Sequence, residues 1–199
     1  RAKPARSGPH HHLRPGRALG AAAMVSAVLV WMVSPSAAPQ AITREEALGA
    51  VFPGATIRSE QIFLTGDQQR QASAIAGVEV PSALVARYVA VKDGQVVGRA
   101  YVDTHVVRTK RESLLISLDG SGGVKRIDVT AFLEPPEYHA PDAWLSQYRG
   151  RALDDDLTLQ RAIRPIAGAT LTARATNDAV RRVLAIDRVL QGSAGETRR

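Results

Sequence analysis

Thr170 stands where a phosphate could be received. It lies in the segment Arg164-Pro165-Ile166-Ala167-Gly168-Ala169-Thr170-Leu171-Thr172, after two small residues and ahead of a helical pattern. A helix N-terminus presents backbone N–H groups without partners and a partial positive charge, so it welcomes an anion. Gly168 and Ala169 carry almost no side chain, which lets a bulky group approach the backbone. Thr170 adds a hydroxyl at that point. Residue chemistry alone leaves two readings open. One is a phosphate-binding turn with a hydroxyl in it; the other is a loop closed by Thr172 as helix N-cap.

The remaining candidates carry less. A second Gly-Ala-Thr, at Gly54-Ala55-Thr56, follows Phe52-Pro53 and leads into a strand pattern. It reads as helix termination and turn. His105 and His139 are single and far apart, without paired carboxylates or a His-x-x-x-His spacing, so neither suggests zinc or catalysis. Ser113 and Ser117 lack the glycines of a nucleophile elbow. Asp154-Asp155-Asp156 lacks the spaced ligands and glycine of a calcium loop. Arg108-Thr109-Lys110-Arg111 reads as a solvated turn between strands, and it is also a place to steer an acidic redox partner.

Composition narrows the class. The 199 residues are 45% hydrophobic and 23% charged, which suits one globular domain with length to spare. The absence of cysteine excludes disulfides, thiolate metal sites, iron–sulfur clusters and cysteine nucleophiles. Aromatic residues are only 5%, so few rings can line a pocket. The net charge of +7 is concentrated in residues 1–17, where Arg1, Lys3, Arg6, Arg14 and Arg17 meet no acid. The body is close to neutral, which argues against a nucleic-acid binder.

The same N-terminal stretch has a targeting layout. Basic residues 1–17, including His10, His11 and His12, precede an apolar run from Ala18 to Val33 and then the small residues Ser34-Pro35-Ser36-Ala37-Ala38. That is the tripartite form of a secretory signal. The run is short for a spanning helix, which needs about 20 residues, and an uncleaved anchor with Trp31 at the interface is the alternative. Residues 1–41 are therefore expected to be a leader or anchor, and the body to be periplasmic or anchored facing the periplasm.

From residue 42 the pattern predicts an α+β domain. Thr43 and Glu46 have capping-box spacing and open a helix through Ala50. Thr56 to Leu64 suits a strand, and Gly66 to Ser73 suits a helix or a loop. Val85–Val91 and Gln95–Val102 flank Asp93-Gly94, a strong hairpin turn. Ser113–Leu118 and Val124–Phe132 repeat the arrangement around residues 119–123. The expectation is an antiparallel β-meander sheet with a C-terminal helix and short flanking helices. Glu134-Pro135-Pro136 must leave the sheet, since proline has no amide to donate. Pro141 starts a helix to about Tyr148. The last helix is predicted from about Thr172 to Leu190, with Ala175, Ala179, Val183, Ile186 and Leu190 on one stripe. Residues 191–199 are expected to form a disordered tail.

The segment ending at Thr172 resembles the flavinylation motif of the FMN-binding domain family, which includes subunits of sodium-pumping NADH:quinone reductases and of Rnf electron-transport complexes. In that family a small residue, Gly-Ala-Thr, a hydrophobic residue and Thr or Ser follow one another, as Ala167, Gly168, Ala169, Thr170, Leu171 and Thr172 do here. The hairpins, the Pro135-Pro136 break and the final helix also come in the family's order, from about Val85 on. The chain looks closest to small exported single-domain members. The resemblance implies FMN joined by a phosphoester to Thr170. A flavin transferase that uses FAD and Mg²⁺ and releases AMP would attach it. It also implies an electron carrier, rather than a stand-alone enzyme, working with a membrane redox partner such as a cytochrome or flavocytochrome.

Two positions depart from the pattern. The family usually has Ser or Thr at Ala167 and often Asp at Arg164. Arg164 would pair with the FMN phosphate, which suits non-covalent FMN equally. Glu134 falls near a family glutamate and is a flavin-pocket candidate. Tyr138, Trp144 and Tyr148 lie near the same break, to stack on the flavin or to pack the short helix on the sheet. The alternative function is a flavin-free accessory or binding domain that keeps the fold.

Overall fold

Caps and turns written into the sequence set the order of elements. In the computed structural model, which describes residues 42–196, Thr43 caps α1 (Arg44–Val51) in a full capping box with Glu46. β1 (Thr56–Phe63) follows, and then α2 (Gly66–Ala76), which Thr65 and Gln68 cap in the same way. Gly77 ends α2 in the left-handed region, at φ 67°, where its N–H reaches Ser73. β2 (Leu84–Lys92) and β3 (Gln95–Val106) are joined by Asp93-Gly94, both at positive φ as the tight turn requires. β4 (Arg111–Asp119) and β5 (Val124–Phe132) complete the sheet. The Asp119 carboxylate accepts from Ser121 and Gly123 and so closes their turn. A short α3 (Asp142–Leu145) precedes α4 (Thr170–Glu196).

The five strands lie in sequence order, all antiparallel. The meander and the α+β class are as the turn signals predicted. Side chains alternate across a strand, and β4 uses this on both faces. Leu114 and Ile116 join Tyr101 in the core beneath α4, where Val180, Val183 and Ile186 meet them. Leu115, between them, joins Ala90 and Ala100 against Ala47, Leu48, Val51 and Phe52 of the α1 region. The long helix therefore closes one face, and its first turn is brought to one end of the sheet.

Phe52 fits over Gly98 of β3. A methyl group there would lie 2.3 Å from Phe52 Cε1 and 2.5 Å from the Leu118 carbonyl oxygen. Gly98→Ala is therefore expected to destabilise the domain by about 1–3 kcal/mol through overpacking. A urea midpoint equal to that of the parent protein would contradict this packing.

Two expectations need adjustment. α4 starts at Thr170, not Thr172, and runs on to Glu196. Residues 191–196 are thus helical rather than part of a disordered tail. Contact with α2 explains the extension, since Gln68 donates to the Ser193 hydroxyl at 3.2 Å. The expected leader or anchor, with its His triplet and Trp31, lies outside the described residues. Among the described residues no helix is long and apolar enough to cross a membrane.

Candidate functional site

The start of α4 is built without a capping side chain. Gly168 stands at φ 78° with open space where a Cβ would point. Ala169 is buried, and its carbonyl accepts the first helical bond, from Ala173 N–H at 3.0 Å. The amides of Thr170, Leu171 and Thr172 precede that bond and have no helical acceptor. An alanine at the N-cap forgoes the roughly 1 kcal/mol that a Ser, Thr or Asp would supply. Thr170 is exposed at the first helical position, and Leu171 beside it is 47% exposed. Thr172 is buried instead, and its hydroxyl donates to the Tyr138 carbonyl at 2.7 Å. Two threonines two residues apart therefore have different tasks: one faces solvent, the other ties the helix down.

The approach to this turn is fixed by α3 and the segment after it. Trp144 Nε1 donates to the Arg164 carbonyl at 2.6 Å, and the Arg164 amide donates to Gln147 Oε1 at 3.0 Å. The Arg164 guanidinium is exposed and has no partner among the described residues. Trp144 and Tyr148 are buried and meet edge to face, and Tyr148 donates to Asn177 Oδ1. They take the packing role of the two foreseen. Tyr138 is half-buried, with the Arg108 guanidinium 4.4 Å from its ring centre.

Glu134 is buried, and one of its oxygens accepts from three successive amides, Arg108, Thr109 and Lys110, at 2.7–3.0 Å. The bonds from Thr109 and Lys110 hold its carboxyl below the usual range. Glu134 thus clamps the β3–β4 turn that carries Arg108. The structure brings together Arg164, Ala167, Gly168, Ala169, Thr170, Leu171 and Thr172 as one anchored turn. Glu134 joins them at the same end of the fold through Arg108 and Tyr138. None of the described clefts is lined by residues 164–172.

One cluster escaped the sequence reading. His105 has a carboxylate on each ring nitrogen, Asp103 on Nδ1 at 2.9 Å and Glu112 on Nε2 at 3.0 Å. Arg182 of α4 holds Asp103 with two bonds, at 2.8 and 2.9 Å, and Thr176 of α4 donates to Glu112 at 3.4 Å. The expectation that no carboxylates accompany His105 is therefore corrected. Asp103-x-His105 is a same-face spacing on a strand, and Glu112 arrives only through the β3–β4 register, which pairs it with His105. Two positive and two negative groups balance in this clamp between α4 and the sheet. Among the described residues no group of three or more potential ligands is placed to hold a metal.

Burial alone would lower the His105 pKa, but its bonds to Asp103 and Glu112 outweigh burial and raise it to about 9. The folded state therefore holds this proton more tightly than the unfolded chain, whose histidine titrates near 6.5. The stabilisation is complete below the unfolded pKa and is lost as pH rises through 9. Melting temperature should fall across that window, and His105→Gln should flatten the fall. An equal slope in the variant would contradict the assignment.

The other candidates are structural. Gly54 at φ 74° carries the turn from α1 into β1, which Thr56 begins. Asp154 accepts the Asp156 amide, and Asp156 pairs with Arg161 at the surface. No model of a known protein family, no curated protein and no solved structure matches the chain.

Proposed function

We propose that this chain is an exported FMN-binding electron carrier, with the flavin phosphate at the start of α4 and joined to the Thr170 hydroxyl. The observation that carries the reading is the placement of Thr170: exposed, at the first position of a 27-residue helix, behind Gly168 and an N-cap alanine. The residues present fit the phosphate end of the group. Three amides without helical acceptors, a free hydroxyl and the unpaired Arg164 supply donors for an anion. A side-chain cap, as at α1 and α2, would occupy one of those amides; at the start of α4 no side chain does.

FMN would supply the redox chemistry, and the chain would hold and tune it. Attachment by a flavin transferase transfers the FMN phosphoryl group from FAD to the Thr170 oxygen, with AMP as the leaving group and the hydroxyl proton released. A tether suits a compartment without a pool of FMN. Electrons would pass between a membrane cytochrome or flavocytochrome and an acceptor outside the cytoplasm.

The flavin-free reading is favoured by Ala167, by Arg164 and by the position of the described clefts away from Thr170. Titration of the exported chain with FMN, followed by flavin fluorescence, separates the two. Quenching at micromolar FMN, or a chain already yellow on purification, supports the flavin reading. A colourless chain that leaves FMN fluorescence unchanged, even after coexpression with a flavin transferase, rejects it.

A further inference from the structure

The sheet face that α1 covers is only partly covered. α1 packs over Ala90, Ala100 and Leu115. Beyond them, toward the β3–β4 turn, the same face carries large apolar side chains in water. Phe63 is 73% exposed, and Leu84, Val106 and Leu133 are about half exposed.

Strand register places these four together. Residues paired across strands point to the same face, and so do alternate residues along a strand. Phe63 pairs with Leu84, which lies an even number of residues from Ala90. Val106 lies an even number from Ala100 and pairs with Arg111. The Leu133 amide donates to the Arg111 carbonyl, which sets Leu133 on the other side of Arg111.

The charge around them is positive. Arg111 is exposed between Val106 and Leu133, and Arg108 and Lys110 are exposed in the adjoining turn. Neither Lys110 nor Arg111 has a side-chain ion pair among the described residues. The buried acids of this end are already matched, Glu134 by three amides and Asp103 by Arg182 and His105. Glu137, on the segment after Leu133, is exposed and leaves the three cations in excess.

The shape of the patch selects its partner. None of the described clefts is lined by Phe63, Val106 or Leu133. The apolar side chains project rather than frame a pocket, so they suit a soft apolar medium that they can enter. Cations beside them suit anionic headgroups at its surface. We propose that this end of the sheet docks on an anionic lipid bilayer, with Phe63, Leu84, Val106 and Leu133 entering the acyl boundary and Arg108, Lys110 and Arg111 at the phosphates.

The chain has no cysteine, so Phe63→Cys in the full chain takes a single environment-sensitive dye, and Gln95→Cys marks the opposite end of the sheet. The readout is local: attachment to a vesicle through any other part of the chain leaves the dye at position 63 in water. Phosphatidylcholine vesicles with about 30% phosphatidylglycerol should brighten the dye at position 63 about twofold and shift it to the blue, and leave the dye at position 95 unchanged. Lys110→Gln with Arg111→Gln should raise the lipid needed by about tenfold. Thr170→Ala should change nothing, which keeps the result separate from the flavin reading. No response at position 63, an equal response at position 95, or an equal response to phosphatidylcholine alone would overturn the proposal. Brightening that follows protein concentration without lipid would give the face to a second copy instead and overturn it as well.

Discussion

Thr170→Ala, exported together with a flavin transferase, is expected to carry no flavin that survives denaturation, while Thr170→Ser keeps it. The hydroxyl is the only atom group the substitution removes that an ester requires. Thr170 is exposed, so the change in stability should stay within about 0.5 kcal/mol, and loss of colour cannot be ascribed to misfolding. Thr172→Ala is the contrasting case. Its hydroxyl holds the Tyr138 carbonyl, so its loss should cost about 1 kcal/mol and leave the attached flavin in place. In-gel flavin fluorescence after denaturation reads all three variants. Fluorescence retained in Thr170→Ala and lost in Thr172→Ala would move the attachment point.

The largest expected effect on stability lies at the other end of α4. Asp187 accepts from Arg99 at 2.5 and 3.0 Å and from the Tyr101 hydroxyl at 2.7 Å, and all three residues are buried. Burial and the neighbouring Asp187 charge raise the Tyr101 pKa, so its hydroxyl stays a donor. Asp187→Ala leaves a buried guanidinium without a counter-charge and should cost about 3–5 kcal/mol. The paired change Arg99→Met with Asp187→Leu should recover much of that loss, because two apolar groups avoid the desolvation that the ions incur. Urea denaturation measures both. A single variant as stable as the parent would contradict the burial of this pair.

Much of the fold was legible because its turns are chemically explicit. Asp93-Gly94 and residues 119–123 announce the hairpins, and Thr43 with Glu46 announces α1. α2 was ambiguous because Gly66 to Gln71 is polar; the Thr65–Gln68 capping box was the signal that decided it. The start of α4 was misplaced by two residues because Thr172 is an attractive N-cap by type. In the folded chain its hydroxyl is drawn to Tyr138, and an alanine takes the cap. The end of α4 was hidden because the polar run after Leu190 gains its helix from contact with α2, which no local pattern records.

The candidate site was legible to the extent that it is contiguous. Residues 164–172 form one anchored turn because their order in the chain is their order in space. The Glu134 clamp and the His105 cluster depend on partners as far as 26 and 79 residues away in the chain. Such partners become neighbours only once strand register is known.

The most direct test of the central claim is the mass of the peptide that contains Thr170, taken from the natively exported protein. The account predicts a peptide heavier by FMN less one water, with fragmentation placing the addition on Thr170. An unmodified peptide, from a preparation in which no FMN accompanies the protein, would contradict it.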